Sequence, residues 1–170
     1  IRYVRLLPEH PRALDAAVEA LHSADMIVLA PGSLYTSIIP NLLVDGIADA
    51  IRDSKALKLY VCNVMTQEGE TEGYTVSDHI QALFSHSYPR LFPLCLTNSM
   101  PIPACIARRY AQEGAEPIYH DTEKCRALGV ELIERPIASL ENGLVRHNPG
   151  HLAHELMTIY EECTSQKDPT

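Results

Sequence analysis

Apolar positions along this chain switch between a helical period and short continuous runs. Leu14, Ala17, Val18 and Leu21 recur at i, i+3, i+4 and i+7, which predicts a helix opened by Pro11. Met26-Ile27-Val28-Leu29-Ala30 is an uninterrupted apolar run, the pattern of a strand covered on both faces, and Pro31-Gly32-Ser33 ends it. A helix is expected from Thr36 or Ser37, with Pro40 in its first turn and a break at Gly46. Leu57 to Asn63 reads as a second buried strand, and a polar loop from Met65 to Gly73 follows it. Thr75 with Asp78 three residues on resembles a capping box, opening a helix whose stripe is Val76, Ile80, Leu83 and Phe84.

The second half continues the alternation. Leu91 to Thr97 is strand-like despite Pro93, and Pro103 suits the first position of a helix that runs to about Glu113. Short strands are expected near Pro117 to His120 and at Val130 to Glu134, with a helix at Asp121 to Leu128 between them. Leu152, Leu156 and Ile159 mark a final helix, with Pro149-Gly150 read as separating it from His147. Ile1 to Leu7 also reads as a strand at the very start, so a fragment with a missing upstream partner is expected. Strands separated by helix-length segments need crossovers, and crossovers make parallel sheets. The expected fold is α/β: a three-layer, doubly wound, mainly parallel Rossmann-like sheet. It forms a single domain over 1–162, with 163–170 as a frayed tail.

Composition narrows the partners. The 170 residues carry 14 Lys and Arg against 22 Asp and Glu, a net charge of −8. A nucleic-acid binder presents a basic face, and an anionic membrane surface would repel this chain. Apolar stretches stay well below the roughly 20 residues that cross a bilayer, so membrane insertion is not expected. The five cysteines, Cys62, Cys95, Cys105, Cys125 and Cys163, are odd in number and form no C-x-x-C pair. They read as small buried hydrophobes in a reducing compartment, hence a cytoplasmic protein. A homo-oligomer stays open.

In an open parallel sheet, ligands collect at the carboxyl ends of the strands. Two loops at such positions carry suitable chemistry. In the first, Gly32 lets a ligand approach the backbone, Ser33, Thr36 and Ser37 offer hydroxyls, and the next helix offers free N–H groups for a phosphate. In the second, Asn63, Met65, Thr66 and Gln67 follow a strand directly, and their amides and hydroxyl can read the edge of a base or sugar. Both loops can equally be ordinary turns. His147, His151 and His154 suggest a metal site or a solvent-facing cluster; Asp78-His79 offers acid–base groups or only a helix cap. Arg146 reads as a loop cation, an anion clamp or one half of a surface ion pair. There is no G-x-G-x-x-G, Walker loop or G-x-S-x-G.

The blocks LAPGSLYTSIIPNLL (29–43), YVCNVMTQEGETEGYTVSDHI (60–80), ARRYAQEGAEPI (107–118) and LVRHNPGHLA (144–153) resemble the bacterial gluconeogenesis-factor proteins of the YvcK type. These are a branch of the CofD-like superfamily, which includes 2-phospho-L-lactate transferase. The likeness covers about residues 1–155 and corresponds to the later part of the family's chain, without its Gly-rich N-terminal segment. Ala30 stands where a glycine is common, and Glu68 where a proline is common.

The resemblance implies a Rossmann-like fold that binds a nucleotide, a UDP-sugar in the YvcK branch, in proteins acting in carbon metabolism, cell-wall synthesis and cell shape. By position, it places Gly32, Ser33, Leu34, Tyr35, Thr36 and Ser37, with Asn63, Met65, Thr66 and Gln67, along the ligand cleft. It links Tyr110 and Arg146 to UDP-sugar binding. The favoured reading is a regulatory binding protein with no catalytic residue or resident metal. The alternative is a transferase that forms a phosphodiester from a nucleotide-activated 2-phospho acid with magnesium. A dehydrogenase is disfavoured by the missing dinucleotide fingerprint.

Overall fold

The computed structural model describes residue 1 and residues 3–165. Its centre is a four-stranded parallel sheet of β1 (Met26–Leu29), β2 (Leu57–Val61), β3 (Leu94–Asn98) and β4 (Glu131–Arg135), in the spatial order β1-β2-β3-β4. The α/β fold with a parallel sheet flanked by helices is thus as the sequence predicts. Strand order follows chain order, so no reversal occurs among the described strands.

Alternation along each strand sorts the core into two layers. Ile27, Leu29, Tyr60, Cys62 and Cys95 face one side. They are covered by residues of α2 (Ile39–Leu42), α3 (Ile47–Asp53), α4 (Val76–Ser85) and α6 (Thr122–Ala127). Met26, Val28, Leu59, Val61 and Leu96 face the other side, where α7 (Pro149–Ser165) lays down Leu152, Leu156 and the fully buried Ile159. Burying one such isoleucine contributes about 1.5–3 kcal/mol. Arg135 of β4 fastens α7 through Glu155 at 3.2 Å and Glu162 at 3.5 Å.

Several elements differ from the sequence reading. Among the described residues from Ile1 to Leu7 there is no strand; the Val4 N–H instead donates to His86 Nε2. The first helix, α1 (Asp15–Ser23), starts after Pro11, whose carbonyl accepts from the Asp45 N–H, and Leu14 is exposed. The helix expected at Thr36 or Ser37 begins earlier, as a wide π turn over Leu34–Ile38 that runs into α2. Gly46, with φ of 97°, makes the expected break before α3. The expected strand at Pro117 to His120 reduces to one bridge between Met65 and Pro117, because proline has no N–H to continue a ladder.

The capping box is present, with Asp78 Oδ2 accepting from the Thr75 N–H at 2.9 Å, and every residue of the stripe is buried. An antiparallel hairpin, β5 (Ala138–Glu141) and β6 (Leu144–His147), was not anticipated. It puts Arg146 on a strand rather than in a loop. Pro149-Gly150 opens α7 instead of preceding it, with Asn148 Oδ1 accepting from the His151 N–H in the first turn. Residues 163–165, expected to fray, continue α7; residues 166–170 lie outside the described part.

Candidate functional site

The loops after β1 and β2 lie side by side at the carboxyl edge of the sheet. One side chain joins them: Asn63 Nδ2 donates to the Gly32 carbonyl at 2.9 Å, and the Gly32 N–H donates to Asn63 Oδ1 at 3.2 Å. Gln67 Nε2 donates to Ser33 Oγ at 3.0 Å, and the Thr36 hydroxyl donates to Glu70 Oε1 at 2.9 Å. A side chain at Gly32 would meet Ser37 Cβ at 3.4 Å, an ordinary contact. Packing inside the chain therefore does not demand glycine here.

These loops floor a cleft of about 320 Å³ whose other wall comes from α5 (Ala104–Gln112) and β6. Of the sequence-derived residues, Gly32, Ser33, Asn63, Met65, Thr66, Gln67, Tyr110 and Arg146 line it. Leu34 and Tyr35 do not, because the π turn rotates both into the core. The Tyr35 hydroxyl meets the Tyr74 hydroxyl at 2.8 Å, and burial pushes its pKa well above the usual range, so it stays protonated. Thr36 and Ser37 are exposed beside the cleft and do not line it. A larger hollow of about 450 Å³, bordered by Val4, Asp45 and His86, shares no residue with the cleft.

Arg146 is exposed and makes no ion pair among the described residues. His147, weighed above as a metal ligand or part of a solvent-facing cluster, lines the cleft and sits 3.3 Å from the Cys62 carbonyl through Nε2. A carbonyl partner requires the proton on Nε2, which leaves Nδ1 as an acceptor. Burial lowers its pKa, partly opposed by that same carbonyl, so the ring is neutral at pH 7. The signal that could have found it is alternation: His147 shares a strand with Arg146, two residues beyond buried Val145. Among the described residues, no group of three His, Cys, Asp or Glu is placed to hold a metal.

Two other sequence candidates prove structural. Asp78 is spent on the Thr75 cap. His79 is fully buried, with Nδ1 2.9 Å from the Thr75 carbonyl. The start of α4 holds an anion of the protein's own. Asp121 accepts from the Ser77 N–H at 3.0 Å, the Ser77 hydroxyl at 2.5 Å and the Thr75 hydroxyl at 2.8 Å. All five cysteines are free; Cys62, Cys95 and Cys125 are buried as expected, whereas Cys105 is exposed. No helix among the described residues is long and apolar enough to cross a membrane.

Comparison with known proteins agrees with this architecture. Residues 1–138 match the family model described as 2-phospho-L-lactate transferase CofD. The gluconeogenesis factor of Halalkalibacterium halodurans is 43% identical over 157 residues, 92% of this chain and 49% of that protein. That of Bacillus subtilis is 41% identical over 162 residues, 95% of this chain and 51% of that protein. A crystal structure of a UPF0052-family protein from Bacillus halodurans superposes with a TM-score of 0.88 at 43% identity, over 92% of this chain and 51% of that one. The chain spans about half the length of these two relatives. With the family model running across most of its length and the fold shared with a relative, this chain belongs to the CofD family.

Proposed function

We propose that this chain supplies part of a nucleotide-sugar cleft, with a UDP-sugar as ligand, in a regulatory protein linked to carbon metabolism, cell-wall synthesis and cell shape. The observation that carries the reading is the convergence of Tyr110 and Arg146 with Gly32, Ser33, Asn63 and Gln67 around one hollow. A diphosphate entering a chain of net charge −8 needs local compensation. Arg146 supplies it as a cation without an internal partner among the described residues, while amides and hydroxyls from the two loops meet the sugar or base. Titrating UDP-glucose into the protein by calorimetry tests this. Arg146→Ala removes a charge-assisted contact of about 1.5–3 kcal/mol. Binding should therefore weaken roughly ten- to a hundredfold. Arg146→Lys should recover part of the loss, since the planar fork is gone. Unchanged affinity in a folded Arg146→Ala protein would refute the reading.

The family model's description names a transferase, which favours a second reading; the resemblance would make it one that joins a nucleotide-activated 2-phospho acid to an acceptor with magnesium. Magnesium favours carboxylate and phosphate oxygens. The described cleft lining offers amides, hydroxyls, an imidazole and a guanidinium but no carboxylate, so these residues alone make no magnesium seat. Consumption of nucleotide with product formation, against saturable binding without turnover, separates the two readings.

A further inference from the structure

The hairpin that carries Arg146 turns at Asn142-Gly143, with φ of 50° and 74°, and Glu141 pairs with Leu144 across the turn. In a two-residue hairpin the flanking pair exchanges its hydrogen bonds, and the next pair does not. Here that next pair is Leu140 and Val145, so the Val145 N–H points away from its partner strand. The Val145 side chain is buried among Val64, Met65 and Ala138. The N–H is met by the hydroxyl of Tyr110, an acceptor at 2.9 Å. One residue earlier on α5, Arg109 donates to the Gly143 carbonyl at the turn. A Cβ at Gly143 would stand 2.7 Å from an Arg109 terminal nitrogen, so the guanidinium lies close over the turn. α5 buries none of its own residues fully.

We infer that Arg109 and Tyr110 are positioning residues that clasp the hairpin to α5 and so set Arg146 over the cleft. The last clause rests on the nucleotide-sugar reading above; the clasp itself does not. Arg146 stands between two anchors, Val145 on Tyr110 and His147 on the Cys62 carbonyl. A shift of one residue in β6 would turn Arg146 to the opposite face. The Tyr110 hydroxyl therefore serves the ligand through the backbone of β6.

Tyr110→Phe keeps the ring and removes the acceptor. In the ligand-free protein, amide exchange at Val145, followed by NMR, should then quicken at least about tenfold, as expected when a protecting bond is lost. Calorimetry with UDP-glucose completes the test as a double-mutant cycle. Tyr110→Phe should weaken binding roughly three- to tenfold when Arg146 is present, and leave it unaltered in the Arg146→Ala background. Arg109→Ala should follow the same pattern. Equal losses in both backgrounds would make Tyr110 a direct ligand contact and overturn the proposal, as would unaltered Val145 exchange. If the native protein takes up no UDP-glucose, the nucleotide-sugar reading fails, and Val145 exchange alone decides the clasp.

Discussion

Asn63 and Gly32, 31 residues apart, exchange two hydrogen bonds through one side-chain amide and thereby tie the loop after β2 to the loop after β1. The pairing needs a donor and an acceptor on the same side chain. Asn63→Asp keeps the acceptor but turns a carboxylate toward the Gly32 carbonyl. Leaving a half-buried partner unmet costs about 1–3 kcal/mol. Urea unfolding of Asn63→Asp and Asn63→Ala should show losses of that order, and UDP-glucose affinity should fall in both. Stability equal to the native protein would mean that the loops are held by something else.

Acid should destabilise the fold before the carboxylates titrate. Burial lowers the pKa of His79, outweighing the Thr75 carbonyl, Asp78 and Glu70; burial likewise lowers that of His147. In the unfolded chain both return to about 6.5. Below that pH the unfolded state takes up protons that the native state refuses, so stability present above pH 6.5 is lost as pH falls toward the depressed native values. Each group contributes a slope of up to about 1.4 kcal/mol per pH unit. Denaturant titrations from pH 7.5 to 5 should show this decline, and His147→Gln should make it shallower while the His79 share remains. A flat profile would mean that both rings charge freely in the native state.

Asp121 acts in the same direction at lower pH. Burial pushes its carboxyl up, but the hydroxyl and N–H of Ser77 and the Thr75 hydroxyl outweigh it and hold the pKa below the usual range. Its contribution is therefore full above about pH 3.9 and lost as pH falls through the lower native value. At neutral pH, Asp121→Asn should cost about 1–3 kcal/mol by replacing a charged acceptor at a helix start. Inorganic phosphate should restore none of it, because the near-isosteric amide still fills the place. Recovery on adding phosphate would show an open anion seat there.

Gly143→Ala should destabilise the protein by about 1–3 kcal/mol, since its φ of 74° strains any L side chain. Thermal unfolding measures this. Asn142→Gly should be tolerated, because glycine adopts the same left-handed conformation freely. A neutral Gly143→Ala would mean that the turn relaxes without loss.

The parts of the site that follow a buried strand were legible, since Met26 to Leu29 and Leu57 to Val61 announce themselves as apolar runs and their loops come next. The hairpin was not, although Asn142-Gly143 is the strongest short-range turn signal there is. Its strands have four residues each and expose Glu141, Leu144 and Arg146, so no apolar run marks them. The rotation of Leu34 and Tyr35 into the core depends on a π turn, and no period in the sequence encodes one extra residue in a helical turn. Ile1 to Leu7 shows the reverse error: a strand-like composition with no strand beside it among the described residues.

The cleft is closed by bonds that leap 31 residues from Gly32 to Asn63, 35 from Tyr110 to Val145 and 85 from Cys62 to His147. No stretch of the chain shorter than that span can assemble it. Loop-closure entropy must be met before such contacts give anything back, so the hollow is finished only when the whole sheet has its order. A small molecule held between these segments therefore cannot rigidify one loop and leave the rest indifferent. Its free energy of association adds to the unfolding free energy of the entire sheet. Occupancy would be felt as far away as Ile159, on the opposite face, as slower opening of the sheet to proteolysis.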